Sequence, residues 1–298
     1  MTKARPVRTG RAFAVFRGLP VDERVVEVLA SWSPSYRVDR VALLGAGQDN
    51  VAWEVNGELV VRFAKAPDPV ETDREARLLA KVAEVSPLPV PTPVFSVPES
   101  GCLVYRKLPG SPLLGLSGPP AVPLGAVFGG YLAALHAVPV ERMADVVGVD
   151  DDPLPQWLSE AAELYAPDTI PPVHRGPVES FLSAAPPLTR SAKVFSHNDL
   201  GVEHVLVDAR SWTVTGVIDW TDAALCDPAY DFGLLYRDLG PAALDAALAA
   251  YGNDSLRERA VFYGRCTVLE DLAYALDTGK AVYADKSLTA LNWLFSGR

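Results

Sequence analysis

The 298-residue chain is poor in cysteine, histidine and methionine, and it has no long apolar run. Its three cysteines, Cys102, Cys226 and Cys266, are odd in number and stand at no metal-binding spacing. A disulfide framework is thereby excluded, and three buried thiols in a reducing compartment are expected. Uncharged stretches fall short of the roughly 18 to 20 apolar residues that a membrane helix needs, so no membrane contact is expected. The first 20 residues carry Lys3, Arg5, Arg8, Arg11 and Arg17 without an acid. Their apolar stretch, Ala12-Phe13-Ala14-Val15-Phe16, is too short for a secretory signal. The reading is a cytoplasmic protein with a basic N-terminal arm. A basic excess is also missing: 27 Lys and Arg stand against 37 Asp and Glu, which argues against a nucleic-acid partner.

What is present is a composition for a folded core, 49% hydrophobic and 21% charged, in a chain long enough for one large domain or two lobes. The acidic excess is uneven. Residues 1–104 hold 13 basic and 13 acidic side chains, whereas residues 105–298 hold 14 and 24, so the two parts have different electrostatic tasks.

Periodicity predicts a first helix over 22–32, with Val25, Val26, Val28 and Leu29 on one face. Short strands follow at 38–44, 51–55 and 59–63, the last two joined by Asn56-Gly57, the strongest short hairpin signal. Residues 68–85 return to helical spacing with Ala76, Leu79, Ala80 and Ala83 as a stripe, and strands resume at 94–97 and 103–105. Beyond a Pro- and Gly-rich stretch the pattern is mainly helical, at 124–137, 156–165, 178–184, 229–237, 242–251, 255–277 and 280–295. One hairpin interrupts it, from Val205-Leu206-Val207 to Val214–Ile218. The expected fold class is α+β: a lobe over 1–105 with an antiparallel sheet and one helix, a hinge and linker over 106–123, and a larger, mainly helical lobe over 124–298.

The informative polar residues surround that hairpin: His197-Asn198-Asp199, Glu203-His204, and Ile218-Asp219-Trp220. With Asp208 pairing near Val214, antiparallel register sets His204 opposite Ile218, beside Asp219, with Asp199 on the loop entering the hairpin. Two acids and a histidine on one edge suit phosphoryl transfer, which needs a carboxylate to deprotonate a hydroxyl and hard ligands to hold Mg²⁺ across nucleotide phosphates. A hydrolytic metal site built from His197, Asp199 and His204 is the second chemical reading.

The order and spacing of His197-Asn198-Asp199, His204, Ile218-Asp219-Trp220 and Asp227-Pro228-Ala229-Tyr230-Asp231-Phe232 resemble the aminoglycoside phosphotransferase family, antibiotic and metabolite kinases that share the protein-kinase fold. In motif the chain looks nearest to the branches acting on aminoglycoside 2″-hydroxyls and on macrolides. The resemblance implies Asp199 as catalytic base, Asp219 as principal Mg²⁺ ligand, His204 in the second metal position, and His197 and Asp231 as braces of the loop. Imidazole is a less natural Mg²⁺ ligand than an amide oxygen, which sets His204 apart from the Asn of protein kinases. For the nucleotide, ATP or GTP, it implies a phosphate-covering loop over 44–50 with Gly47 and Asn50, and a phosphate-binding cation at Arg62. Glu75 is that cation's helix partner, and the base is read by the Arg106 carbonyl and the Leu108 N–H. Lys65, at odd offset from Arg62, would point to the other face.

The acceptor is expected to be a small molecule with a hydroxyl, cationic because the C-terminal lobe carries the acidic excess. Glu203, Asp222, Asp238, Glu270 and Asp271 are its candidate binding acids. Three readings stand: a kinase of aminoglycoside-type antibiotics; the same enzyme on a macrolide, another cationic antibiotic or an amino alcohol; and a nucleotide-binding pseudokinase. The aromatic residues Trp157, Tyr165, Tyr236, Tyr263 and Tyr274 keep the macrolide reading open.

Overall fold

The Asn56-Gly57 turn forms as its sequence demands, both residues taking positive φ (54° and 75°), and the first sheet is built outward from it. The structure is a computed structural model that describes residues 21–47, 49–188 and 192–295. The expected basic arm lies outside the described residues. The chain groups into two units: described residues up to Ala80 with Pro91–Lys107, and Lys81–Val90 with the described residues from Leu108 onward.

The first unit comprises α1 (Val21–Trp32), β1 (Val41–Ala46), β2 (Asn50–Val55), β3 (Leu59–Ala64), most of α2 (Pro69–Val85), β4 (Pro93–Val97) and β5 (Cys102–Arg106). Its strands form one antiparallel sheet in the order β1-β2-β3-β5-β4. Val25, Val28 and Leu29 of α1 meet Val55, Leu59, Val61, Phe63, Cys102 and Val104 in its core. Val26, expected on that face, is exposed because it stands off the i, i+3, i+4 row that the other three occupy. The α2 stripe is likewise rotated. Thr72, Glu75, Leu78, Leu79 and Val82 are buried, while Ala80 and Ala83 face solvent. The sequence stripe followed the small residues, whereas the buried row carries the larger ones together with one acid. Asp68 caps this helix by accepting from the Val70 N–H at 2.8 Å.

The second unit contains β6 (Ser111–Pro112), α3 (Ala121–His136), α4 (Val140–Met143), β7 (Gly148–Val149), α5 (Leu154–Leu164), α6 (Pro172–Leu182), β8 (Val194–Ser196), β9 (Val205–Val207), β10 (Val214–Val217), β11 (Ala224–Cys226), α7 (Tyr230–Leu239), α8 (Pro241–Tyr251), α9 (Arg257–Thr278) and α10 (Ala281–Leu294). Two small sheets, β10-β9-β6 and β7-β11-β8, are set among the helices. The segment read as a linker thus contributes a strand to this unit, pairing with β9. The helix expected at 178–184 runs instead over Pro172–Leu182, its first position taken by a proline that has no N–H to lose there. The two-residue strands and β11 escaped sequence reading because each is too short to show a period.

Helix α3 lies very close to α8. A side-chain carbon added at Gly125 or Gly129 would come within 2.2 Å of the Ala243 or Ala247 backbone, so only hydrogen fits there. All three cysteines are free and buried, as expected. Among the described residues no helix is long and apolar enough to cross a membrane.

Candidate active site

Strand β8 delivers the chain into loop 197–201, and a single 3₁₀ turn, Val202–His204, passes it on to β9. The ladder then sets the register. Val217 pairs with Val205, and the Ile218 N–H donates to the His204 carbonyl at 2.9 Å, so Asp219 emerges beside His204. The His204 Nδ1 lies 2.9 Å from the Asp199 carbonyl and 3.2 Å from Asp199 Oδ2, while Nε2 lies 3.6 Å from Asp219 Oδ2. The convergence expected from the hairpin register is therefore present. A carbonyl only accepts, so Nδ1 carries the proton toward Asp199 and Nε2 is the nitrogen that faces Asp219.

The chemistry of these groups follows from their surroundings. Burial pushes the Asp199 carboxyl up to about 8; His204 and Arg237 oppose the rise, and Glu203 and Asp222 add to it. Desolvation works against a charged His204, yet Asp199 and Asp219 outweigh it and raise the imidazole above its ordinary value. Asn198 and Asp219 both hold left-handed backbone conformations, φ 61° and 62°, which cost strain for any residue but glycine. Thr221 Oγ1 donates to Asp219 Oδ1, fixing one oxygen of that carboxylate.

Behind the loop the arrangement is closed. Asp231, at the start of α7 and almost wholly buried, accepts from Ser196 Oγ, from the Asn198 N–H at 3.0 Å and from the Leu200 N–H at 3.1 Å. His136 of α3 sits between Tyr251 OH and Ser196 Oγ, 3.0 Å from each. Because Ser196 gives its proton to Asp231, it accepts from His136 Nε2, and His136 Nδ1 accepts from Tyr251. His197 is fully buried and donates from Nε2 to the Ile218 carbonyl at 3.0 Å, tying the loop to the strand that carries Asp219. Burial pushes both histidines down to about 4. Sequence reading anticipated Asp231 and His197 as braces; it missed His136 and Ser196, which are isolated polar residues with no motif around them.

The candidate acceptor acids divide into two groups. Asp222 and Glu270 reach solvent. Desolvation nonetheless raises Glu270, with Arg237 opposing. Asp238, Asp271 and Glu203 are instead committed to two cations. Arg237 Nε lies 2.6 Å from Asp238 Oδ1 and 3.9 Å from Asp271 Oδ2, and Lys286 Nζ lies within 3.2 Å of carboxylate oxygens on all three. The expectation that Asp238 and Asp271 face an acceptor is corrected here: their side chains are buried and already neutralised. Neither Arg237 nor Lys286 was singled out from sequence, because one helix places Arg237 beside Asp238 and a distant one supplies Lys286.

In the first unit Arg62 on β3 and Glu75 on the buried row of α2 form an ion pair, with only 13% and 11% of their side chains exposed. This explains why an acid stands on that row. Lys65 donates instead to the Gly47 carbonyl at 2.6 Å, and the Gly47 N–H donates to the Asn50 carbonyl at 2.9 Å, closing the loop between β1 and β2. Arg106 ends β5, and Leu108 opens the second unit's longer stretch.

The phosphotransferase enzyme family (APH) matches residues 40–263. Among solved structures, APH(2″)-IIIa with GDP and kanamycin shares 24% identity at a TM-score of 0.70, over 90% of this chain and 97% of that one. The macrolide 2′-phosphotransferase MphH from Brachybacterium faecium, solved as the apoenzyme, shares 26% identity at a TM-score of 0.63, over 90% of this chain and 98% of that one. The gentamicin complex of APH(2″)-IIa aligns at 17% identity and a TM-score of 0.62, over 92% and 96%. With the kinase-like two-part fold and the family match in agreement, this chain belongs to the phosphotransferase enzyme family and is a small-molecule kinase.

Proposed function

We propose that this kinase transfers the γ-phosphate of ATP or GTP to a hydroxyl of an aminoglycoside-type antibiotic, with Asp199 as the base. The carrying observation is the meeting of Asp199, His204 and Asp219 at one end of the β9–β10 hairpin. A carboxyl raised by burial toward neutrality is matched to proton abstraction near neutral pH. Asp199 takes the proton of the acceptor hydroxyl as its oxygen bonds to the γ-phosphorus, and the nucleoside diphosphate leaves with the electrons of the broken P–O bond.

The donor set suits Mg²⁺. Among the described residues no group of three or more His, Cys, Asp or Glu is arranged to hold a metal. Mg²⁺, however, is commonly held by one or two carboxylates plus substrate phosphates and water. Asp219 would supply the carboxylate, and His204 Nε2 a second donor only once it has given up its proton, since Asp199 and Asp219 favour the charged imidazole. When bound, the ion supplies charge neutralisation on the phosphate oxygens. In the first unit Arg62, oriented by Glu75, would grip phosphate oxygens, with the Gly47–Asn50 loop beside it. The Arg106 carbonyl and the Leu108 N–H would read the base. On the acceptor side, the exposed Asp222 and Glu270 would meet a cation.

A second acceptor class, a macrolide, is supported by a specific feature. The rings of Trp157, Tyr230 and Tyr263 pack within 5.1–5.6 Å of one another and line one small pocket together with Asp150, Asp152 and Asp227, an aromatic wall with acids beside it. Nucleotide turnover against a panel of aminoglycosides, macrolides and amino alcohols tests both readings. At least one member should stimulate turnover in the wild type and none in Asp199→Asn. Nucleotide binding with no stimulation by any member would turn the reading toward a pseudokinase.

A further inference from the structure

The ion-pair cluster of the second unit sets two cations, Arg237 and Lys286, among three largely buried carboxylates, and it sits against the turn that carries His204. Val202 opens that turn, and its N–H is one of the donors that a helix start leaves without an internal partner. Asp238 Oδ2 accepts it at 3.0 Å. The Asp238 side chain has no exposed surface, and Arg237 grips it twice, Nε to Oδ1 at 2.6 Å and Nη2 to Oδ2 at 3.0 Å. The next residue of the turn, Glu203, is held by Lys286 at 3.2 Å and lies 3.8 Å from Arg237. Its carboxylate folds back over Gly201, where any added side-chain carbon would lie 2.6 Å from Glu203 Oε2. Lys286 also reaches Asp238 at 3.2 Å and Asp271 at 2.8 Å, so α7, α9 and α10 converge on one turn of backbone.

From this geometry we infer that Asp238, Glu203 and Lys286 are positioning residues, a clamp from the C-terminal helices that fixes the Gly201–His204 turn and through it the His204 imidazole between Asp199 and Asp219. The clamp grips the turn at two successive points, a backbone N–H and a side-chain carboxylate. Both grips depend on Lys286 and Arg237, because three buried carboxylates without their cations repel one another and part. Displacing the turn moves His204 directly, since the His204 N–H is bonded to the Gly201 carbonyl at 3.0 Å. These carboxylates therefore act through the loop and do not bind the acceptor. The inference rests on the reading of Asp199 and His204 as the reacting end.

The test uses the full chain with Asp238→Ala, Glu203→Gln and Lys286→Met, and Arg210→Met, at an exposed position of the β9–β10 turn, as a control. Amide hydrogen exchange at Val202 reports the clamp without reference to activity, and steady-state kinetics per folded molecule report its consequence. Exchange at Val202 should accelerate about tenfold or more in Asp238→Ala and Lys286→Met, with core amides of α7 unmoved. kcat should fall by up to about 10²-fold, as expected for a small misplacement of reacting groups, with acceptor KM within about twofold. Asp238→Asn, which keeps an accepting oxygen, should recover part of both. Should Asp238→Ala fail to fold, Glu203→Gln and Asp238→Asn carry the same readouts. Unchanged Val202 exchange overturns the clamp. So does a rise in acceptor KM at constant kcat, which would return these acids to substrate binding. Normal turnover in Asp199→Asn would sink the assignment of the reacting end, while the exchange measurement still decides the clamp.

Discussion

The two faces of the 197–204 loop treat their carboxylates in opposite ways. On the closed face Asp231 receives two backbone N–H groups and a hydroxyl, so its oxygens are satisfied at almost complete burial. On the open face Asp199, its side chain 35% exposed, has an imidazole at 3.2 Å and a more distant guanidinium to favour its charge, and desolvation still raises its carboxyl to about 8. Strain follows the same division, since the left-handed residues Asn198 and Asp219 flank the open face. A reacting group must stay under-satisfied to accept a proton, and it can do so only where a neighbouring set of satisfied groups fixes the backbone beneath it.

The sharpest way to break this contrast is to neutralise each face in turn. Asp199→Asn keeps the shape of the open face and removes its base; turnover should drop by about 10²–10⁴-fold while the melting temperature holds or rises. A melting temperature that falls with turnover would give Asp199 the structural role assigned to the closed face. Asp231→Ala is the converse. It strands two buried N–H groups and a hydroxyl, each costing about 1–3 kcal/mol, so about 3 kcal/mol or more of unfolding free energy should be lost in urea titrations.

That contrast was only half legible in the sequence. The open face was visible because its chemistry is local: His197-Asn198-Asp199, His204 and Asp219 lie within one loop and one hairpin, and a two-residue period fixes which ends meet. Asp231 was visible through the Asp227–Phe232 motif. His136 was not, because a lone histidine on an apolar helix carries no pattern; its meaning comes from Ser196 and Tyr251, which are distant in the chain. The same holds for Lys286, whose three carboxylate partners come from a turn and two other helices. In the first unit the sheet and its hairpin were readable, yet the buried row of α2 was misjudged. Periodicity marks apolar faces, and Glu75 is buried for its pairing with Arg62.

Acid should sharpen the comparison next, because the closed face is held by neutral histidine. His136 takes up a proton at about 4 when folded, against an ordinary value of 6.5, since burial disfavours the charged ring. Between those values the unfolded chain binds more protons, so stability is unaffected above pH 6.5 and declines as pH falls through that window. The destabilising contribution of His136 grows steadily as pH falls across that window. Melting temperatures from pH 7.5 to 5 should fall more steeply in the wild type than in His136→Gln. Parallel slopes would show that His136 is not the titrating group.

The smallest expected effect on turnover lies in the first unit, where Arg62 and Glu75 form an ion pair with only 13% and 11% of their side chains exposed. Breaking so largely buried a pair leaves an uncompensated charge, so each substitution should cost stability as well as function. Arg62→Met should raise the nucleotide KM about tenfold or more, the cost of one lost hydrogen-bonded charge on phosphate, with acceptor KM unchanged. Arg62→Lys keeps the charge without the planar fork and should fall between. Glu75→Gln leaves the guanidinium in place but loosens its aim, so its effect on nucleotide KM should be smaller than that of Arg62→Met, with a fall in melting temperature short of unfolding. If Glu75→Gln instead unfolds the first unit, the pair belongs with Asp231 as a buried support, and the division between satisfied and reacting charge would run through the second unit alone.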